Sequence, residues 1–187
     1  MKISRALSRP VAPLALLLLM LFGSGAQTSC APGSALSGEE VSGEQSSATR
    51  APSSGDPLAE CTTERNRMVV KLTNQARKNA GLAPVFCAPA LAKIAQKHAD
   101  DMCKRGYFSH TSKDGRTMED RVDEAKFEFR AIGENIAMGQ PSAEEVHAGW
   151  MDSPVHRENI ERPIFGRLGV GYAACNGQPV WVQNFAD

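Results

Sequence analysis

Several common features are absent from this chain, and each absence excludes a class of protein. The longest apolar run, residues 11–22, is interrupted by Pro13 and falls short of the about twenty residues that a membrane-spanning helix needs. No basic stripe or aromatic stacking platform offers a surface to nucleic acid. The chain has no internal repeat, no HExxH string and no GxSxG elbow. We therefore predict no transmembrane helix in the mature protein and no nucleic-acid partner.

The beginning of the chain has the pattern of an export signal. Lys2, Arg5 and Arg9 precede the apolar run, and small residues follow it. We predict a signal peptide over residues 1–30. The whole chain has 21 basic and 21 acidic residues, so removing these three cations leaves 18 against 21 and a net charge of −3.

Two kinds of processing fit the end of this signal. A signal peptidase could cut after Ala26 or after Ala31, both of which follow small residues. Alternatively, Cys30 in the string Thr28-Ser29-Cys30 is a candidate for lipidation, which would anchor the protein to a membrane. The sequence leaves both alternatives open, and both predict a protein that is exported to the cell envelope or beyond.

The segment 31–57 has the composition of a linker. Nineteen of its 27 residues are Ala, Gly, Pro, Ser or Thr, and none is aromatic. Such a segment cannot bury enough apolar surface to offset the entropy that ordering costs. We predict a disordered tether here, followed by one domain over residues 58–187, which is an ordinary size for a domain with its own core.

Cysteines constrain this domain. Cys30 lies outside it, and the four others are Cys61, Cys87, Cys103 and Cys175. An exported protein meets an oxidising compartment, so we expect these four to form two disulfides. With all four paired and no Cys–His string present, a cysteine nucleophile is excluded.

Geometry removes one of the three pairings. The segment 88–104 has the apolar periodicity of a helix, which would separate Cys87 from Cys103 by about 24 Å. A disulfide needs Cα atoms within about 7 Å of each other. If the preceding helix lies antiparallel to this one, Cys61 pairs with Cys103 and Cys87 pairs with Cys175, and we predict this arrangement.

The pattern of the domain indicates an α+β fold. Helices are predicted first, and a small antiparallel sheet closes the chain. Ser142 and Glu145 have the spacing of a capping box. Asn176-Gly177 lies between the last two strands, in a connection that we expect to be longer than the tightest hairpin type. The predicted helices cover 63–79, 88–104, 117–125 and 142–151, with a short turn beginning at Ser153-Pro154, and the predicted strands cover 127–136, 164–173 and 180–185.

Three short strings contain the residues best suited to chemistry. They are Phe108-Ser109-His110, Gly133-Glu134-Asn135-Ile136 and Ser153-Pro154-Val155-His156. Two histidines and a carboxylate match a zinc ligand set that leaves a fourth position for water. A buried His–Glu–His hydrogen-bond network would use the same residues without a metal. His98, on the apolar face of the second helix, is predicted to be a core histidine with a backbone or carboxylate partner.

In their order and spacing, and followed by Gly169-Val170-Gly171-Tyr172 and Trp181-Val182-Gln183-Asn184-Phe185, these strings resemble the bacterial branch of the CAP superfamily. This superfamily comprises the cysteine-rich secretory, antigen 5 and pathogenesis-related proteins. The resemblance implies an α-β-α sandwich with a cavity that is lined by two histidines and two glutamates and sometimes holds a metal. Ser153 stands where the second glutamate would lie. The implied binding residues are His110, Glu134 and His156, which are also the candidate ligands for a divalent metal, together with Asn135 and Gln183 as cavity residues.

The resemblance implies two functions from different classes. One is a monomeric, non-enzymatic binding module for a small apolar or lipid-like ligand or for a cell-surface partner. The alternative is a hydrolase in which His110 or His156, with Glu134, activates water with or without a metal. A hydrolase also needs groups that stabilise an oxyanion, and the sequence identifies none. The sequence therefore favours binding, and lipidation of Cys30 would add a structural role at the wall or membrane.

Overall fold

The computed structural model describes residues 55–187. The predicted signal peptide, Cys30 and all but the last three residues of the predicted linker lie outside the described residues. Within residues 55–187, no helix has the length and apolarity that crossing a membrane requires. The helices are α1 (Glu64–Asn79), α2 (Pro89–Arg105), α3 (Met118–Glu124), α4 (Ala143–Asp152) and α5 (Pro154–Ile160), and the strands are β1 (Phe86–Cys87), β2 (Ile132–Met138), β3 (Arg167–Cys175) and β4 (Gln178–Ala186).

The four strands form one mixed sheet. Their order across the sheet is β1-β3-β4-β2, with β1 parallel to β3 and the other pairs antiparallel. Alternate residues of β4 pack on different helices: Val180 and Val182 join a cluster with Ala95 of α2, whereas Trp181 joins one with Val69 of α1. Helices thus cover both faces, and the predicted α+β class with an α-β-α sandwich is confirmed.

Two glycines allow α2 to lie directly on β3. A Cβ atom added at Gly169 would lie 2.2 Å from the backbone nitrogen of Ala92, and one added at Gly171 would lie 2.3 Å from the carbonyl carbon of Ala95. These separations are far below van der Waals contact. The Gly-Val-Gly string is therefore a packing motif in which the helix backbone approaches the strand as closely as it can.

The four predicted helices begin and end within one residue of their observed bounds. Thr63 caps α1, because its hydroxyl accepts a hydrogen bond from the backbone N–H of Asn66 at 3.1 Å. Ser142 caps α4 by accepting from the backbone N–H of Glu145, also at 3.1 Å. The side chain of Glu145 lies 3.4 Å from the Ser142 hydroxyl. These caps satisfy backbone donors that have no partner within the helix.

The connection between β3 and β4 is shorter than the sequence pattern predicted. The strands continue to Cys175 and from Gln178, so Asn176 and Gly177 are its two central residues. Both have positive φ angles, 48° and 83°, as a type I′ hairpin turn requires. The expectation of a longer connection was wrong because the pairing extends beyond the apolar residues that marked the strands.

Strand β2 also differs from its prediction. Alternating apolar residues predicted a strand that begins at Phe127, but β2 begins at Ile132. Phe127 instead follows the end of α3, where Lys126 has a φ of 53° and the Phe127 N–H donates to the carbonyl of Val122 at 3.2 Å. Phe127 is nevertheless buried, so the alternation reflected burial without strand pairing.

The predicted disulfide pairing was wrong. The observed bonds join Cys61 to Cys87 and Cys103 to Cys175, with Cα–Cα distances of 5.2 and 5.0 Å. Cys87 lies in β1 opposite Leu168 at the start of β3, and Cys175 lies seven residues further along that strand, about 23 Å away. Cys175 instead meets the last turn of α2. Cys87 and Cys103 do not pair, as the length of the helix between them predicted.

Peptide mapping under non-reducing conditions checks this pairing. Trypsin cleavage after Lys and Arg is expected to leave peptide 51–65 linked to peptide 79–93, and peptide 98–104 linked to peptide 168–187. Each linked pair has one mass before reduction and separates into two peptides afterwards. Linkage of 51–65 to 98–104 would contradict the observed pairing and restore the predicted one.

Candidate functional site

Glu134 is the centre of a buried polar cluster on the edge strand β2. Its side chain is only 3% exposed. One carboxylate oxygen, Oε2, accepts a hydrogen bond from Nη2 of Arg121 at 2.7 Å, and the other, Oε1, lies 2.9 Å from Nδ1 of His110. Hydrogen bonds that involve an ionised group are about twice as strong as neutral ones. Both oxygens of Glu134 are therefore engaged by side chains of other elements.

Arg121 holds the loop after α2 in place. Its guanidinium is almost fully buried, and Nη1 donates to the carbonyl of His110 at 2.9 Å. Nη1 also lies 3.3 Å from the Ser112 hydroxyl and 3.3 Å from the carbonyl of Arg116. Arg121 thus fixes His110 twice, directly through its backbone and indirectly through Glu134. Sequence reasoning did not identify this residue.

His98 extends the cluster into the core. Its Nε2 lies 3.0 Å from the carbonyl oxygen of Ser109 and 3.9 Å from Oε1 of Glu134. Because a carbonyl can only accept, Nε2 carries the hydrogen. Burial is the main influence on His98 and lowers its pKa, although Glu134 opposes this shift. The structure agrees with the predicted core histidine that binds a backbone group.

The two histidines of the sequence motifs lie near each other. His110 is 56% exposed on its side chain. His156 is the third residue of α5 and is partly buried. Burial lowers the pKa of His156, and the charge of His110 lowers it further. His156 is therefore a neutral imidazole near pH 7, beside a histidine whose Nδ1 is held by a carboxylate.

Asn135 and Gln183 lie on the other face of the sheet. They are register partners on β2 and β4, and Nδ2 of Asn135 donates to Oε1 of Gln183 at 3.1 Å and to the carbonyl of His156 at 3.1 Å. Gln183 donates to the Thr73 hydroxyl at 2.9 Å. Both amides are fully buried. The structure therefore pairs His110 with Glu134 and places His156 within electrostatic range of His110. Asn135 and Gln183 lie on the opposite face of the sheet from the Glu134 side chain.

Asn159 connects α5 to β2 and was not identified from the sequence. Its Nδ2 donates to Oδ1 of Asn135 at 2.8 Å and to the carbonyl of Glu134 at 3.3 Å. A Cβ atom added at Gly133 would lie 2.9 Å from Oδ1 of Asn159. The glycine of the Gly-Glu-Asn string thus leaves room for the side chain that positions α5 and His156.

Exposed apolar side chains flank the histidines. Large apolar residues are mostly buried in this domain, but Phe108 is 46% exposed and Val155 is 73% exposed. Phe108 precedes His110 by two residues, and Val155 precedes His156 by one. Ile164, at 52%, is equally exposed but lies outside these strings. Together with His110 and His156, Phe108 and Val155 form what we call the histidine surface.

The cluster does not fit a metal ion. In the described part of the chain, no group of three or more His, Cys, Asp or Glu side chains is arranged to hold one. Arg121 lies 2.7 Å from Glu134, so a cation at this carboxylate would be repelled by a buried guanidinium. Position 153, where the resemblance would place a second glutamate, is a serine. We therefore derive no chemistry through His110, Glu134 and His156 as metal ligands.

Residues 70–185 match the family described as "CAP: Cysteine-rich secretory protein family". This chain is a CAP protein. It is 33% identical over 153 residues to YkwD of Bacillus subtilis (strain 168), covering 79% of this chain and 59% of that protein. It is 32% identical over 123 residues to the B. subtilis membrane protein YlbC, covering 66% of this chain and 34% of that one. The chain thus spans 59% of the length of one relative and 34% of the other.

Solved structures agree with this assignment. An extracellular protein of Bacillus anthracis str. Ames that contains an SCP domain superposes on the CAP domain with a TM-score of 0.61 and 32% identity, covering 64% of this chain and 39% of that one. An outer surface protein of Borrelia burgdorferi superposes with a TM-score of 0.63 and 21% identity, covering 67% of this chain and 94% of that one. The second match supports the fold alone.

His98 predicts how stability depends on pH. The pKa of His98 in the folded protein lies below the ordinary value of 6.5. Between these two pKa values, the unfolded chain therefore binds a proton at His98 that the folded protein does not bind. The contribution of His98 to the free energy of unfolding is then largest above pH 6.5 and falls as the pH decreases from there, until the folded histidine also protonates. One proton contributes a slope of at most about 1.4 kcal/mol per pH unit.

Urea unfolding at a series of pH values measures this slope in wild type and in His98→Gln. Glutamine places an amide nitrogen near the position of Nε2 and can still donate to the Ser109 carbonyl, but it does not titrate. As the pH is lowered from 6.5, the free energy of unfolding of the variant is expected to fall less than that of wild type. Parallel pH profiles for the two proteins would show that another group causes the acid loss.

Proposed function

We propose that this CAP protein is an exported binding module whose contact region is the histidine surface, and that it takes a ligand or a cell-surface partner with an apolar, lipid-like part. The observation that carries the proposal is the exposure of Phe108 and Val155 beside the two histidines. Two disulfides suit an oxidising compartment outside the cytosol. The extracellular relative from Bacillus anthracis also supports export.

Rigidity supports a role in binding. His110 is held by Glu134 and Arg121, and the position of His156 is fixed through Asn135. A surface whose polar groups are already oriented loses less conformational entropy when a partner binds. When a partner covers apolar side chains that are exposed in the free protein, binding is stabilised by about 25 cal/mol for each Å² of apolar surface removed from water.

The test measures binding of the fluorescent fatty acid cis-parinaric acid to the exported full-length protein. Phe108→Ser and Val155→Ser are expected to raise the dissociation constant about tenfold each, because each removes part of an apolar contact. Ile164→Ser is the matched control, since it removes a similarly exposed apolar side chain elsewhere. Equal effects in all three variants, or no binding to wild type, would contradict an apolar ligand at the histidine surface.

A hydrolase is the second candidate, and one observation favours it. The Nδ1 of His110 lies 2.9 Å from Glu134, which leaves Nε2 of a half-exposed imidazole free to take a proton. A carboxylate that orients a histidine in this way is a recurrent arrangement for a general base. A nucleophile and donors for an oxyanion are also needed, and nothing beside His110 supplies both.

Hydrolysis assays separate the two candidates. Casein and p-nitrophenyl butyrate are offered to wild type, His110→Gln and His156→Gln, with and without added zinc. A binding module gives the same background rate in every protein. Turnover that disappears in His110→Gln and persists in His156→Gln would establish the hydrolase. A rate that depends on zinc would contradict our view that the cluster does not fit a metal.

A further inference from the structure

His110 has one ring nitrogen bound inside the protein and one that is free. Its Nδ1 lies 2.9 Å from Oε1 of Glu134, whose side chain is 3% exposed, whereas the His110 side chain is 56% exposed. No other hydrogen bond joins the His110 side chain to any of the described residues 55–187. Because the two nitrogens of an imidazole point in different directions from the ring, Nε2 is directed away from Glu134 and is free to meet a ligand.

Glu134 determines which nitrogen of His110 carries the hydrogen. An ionised carboxylate can only accept hydrogen bonds, so the hydrogen of a neutral His110 lies on Nδ1. Arg121 is the counterion of this carboxylate, since its Nη2 donates to Oε2 at 2.7 Å. Nε2 of the neutral ring then has a lone pair, and it can only accept a hydrogen bond.

An acceptor at this position selects among the head groups of possible ligands. A hydroxyl can donate to it, whereas a carboxylate or an ether has no hydrogen to donate. An ammonium group could also donate, but its charge would find no free counterion, because Glu134 is already paired with Arg121. Moving such a charge out of water is costly. The acceptor therefore favours a neutral head group with a hydroxyl.

Phe108 is the apolar neighbour of this acceptor. Its side chain is 46% exposed, and it precedes His110 by two residues. The Cα atoms of two such residues are at most about 7 Å apart. One molecule can therefore place a hydroxyl at Nε2 of His110 and the first methylene groups of its chain on Phe108.

We propose that the histidine surface binds a neutral amphiphile whose hydroxyl donates to Nε2 of His110 and whose hydrocarbon chain covers Phe108. Long-chain primary alcohols have this chemistry, whereas ionised fatty acids and ethers supply only the chain. The inference rests on the proposed function, because it names the class of ligand for the same surface. It adds a ranking of head groups, which is tested separately from binding itself.

The tautomer of His110 is measured first, by long-range ¹H–¹⁵N nuclear magnetic resonance of the full-length protein at pH 8.5, where an ordinary imidazole is neutral. Nδ1 of His110 is expected to give the signal of a nitrogen that carries a hydrogen, and Nε2 that of a nitrogen with a lone pair. His98 is the internal control, since its Nε2 donates to the carbonyl of Ser109 and its pattern should be the opposite. A hydrogen on Nε2 of His110 would overturn the proposal.

The ranking of head groups is measured at the same pH with three fluorescent probes that share one chain: cis-parinaryl alcohol, its methyl ether and cis-parinaric acid. The alcohol is expected to bind about fivefold more tightly than the ether, which is the gain of one hydrogen bond. The ether is the more apolar of the two, so burial of apolar surface alone would give the opposite order. The ionised acid should also bind more weakly than the alcohol.

Two substitutions of His110 provide a matched pair. His110→Asn keeps a donor near the position of Nδ1 and has no atom at Nε2, so the alcohol and the ether should bind it equally. His110→Gln can place its amide oxygen near Nε2 and should keep more of the preference for the alcohol. Equal binding of the alcohol and the ether to wild type, or an unchanged preference in His110→Asn, would overturn this inference and leave the proposed function standing. Failure of all three probes to bind wild type would instead overturn the proposed function, and this inference with it.

Discussion

Replacing Glu134 with glutamine is expected to lower the free energy of unfolding by about 3 kcal/mol, at the lower end of the range for breaking a buried ion pair. The carboxylate is the acceptor for Nη2 of Arg121 at 2.7 Å, and both side chains are almost fully buried. Removing its charge leaves the guanidinium buried without a counterion. Glutamine has the same shape, so the loss reports charge and hydrogen bonding with little change in packing.

A double-mutant cycle isolates this pair. Arg121→Met removes the cation and should lower the free energy of unfolding by a similar amount. The double variant should lose clearly less than the sum of the two single losses, because no uncompensated charge remains. Glu124→Gln is the control, since it breaks an equally short pair with Arg116 whose two side chains are exposed, and it should change stability little. Additive losses in the cycle would show that Glu134 and Arg121 are not energetically coupled.

Gly169→Ala is expected to lower the free energy of unfolding by at least as much as Glu134→Gln, about 3 kcal/mol or more, although it adds a single methyl group. The new Cβ would lie 2.2 Å from backbone atoms of both Leu91 and Ala92. Backbone atoms cannot rotate away as a side chain can, so α2 must move off the sheet. Overpacking of a core typically costs about 1–3 kcal/mol, and more where nothing can yield.

The matched control is another glycine of the same domain. Gly149 lies within α4, and a Cβ added there meets nothing within 4 Å. Gly149→Ala should therefore raise the free energy of unfolding by about 0.5–1 kcal/mol, the preference of a helix for alanine. Guanidinium unfolding compares the two variants with wild type. A cost for Gly169→Ala below that of an ordinary surface substitution would show that α2 and β3 are not as closely packed as described.

Local patterns in the sequence predicted much of this fold, because its helices satisfy local rules. Thr63 and Ser142 stand where helix caps are needed, and apolar periodicity gave the four main helices to within one residue. Alternation in a strand also implies that Glu134 and Asn135, as neighbours, point to opposite faces. That rule could have separated Asn135 from Glu134 before the structure was known, whereas the face of Gln183 depends on the register between β2 and β4.

Other features depend on contacts between elements that are far apart in the sequence, and no local pattern predicts them. Arg121 is an arginine on a short helix, and nothing in its neighbours distinguishes it from the exposed arginines of the chain. Its role follows from the packing of α3 beside β2, which brings it to Glu134. The disulfide pairing likewise depends on the register of the two-residue strand β1 with β3, and two residues are too few to predict from periodicity.

The two disulfides hold α2 at both ends. One attaches Cys87, just before the helix, to the segment before α1, and the other attaches Cys103, in the last helical turn, to the end of β3. Helices ordinarily fray from their ends, and proteases and hydrogen exchange act on the segments that open locally. With both ends covalently held, α2 can open only when much of the domain opens with it. Its amides should exchange among the slowest in the protein, and digestion should spare this helix for as long as the domain stays folded.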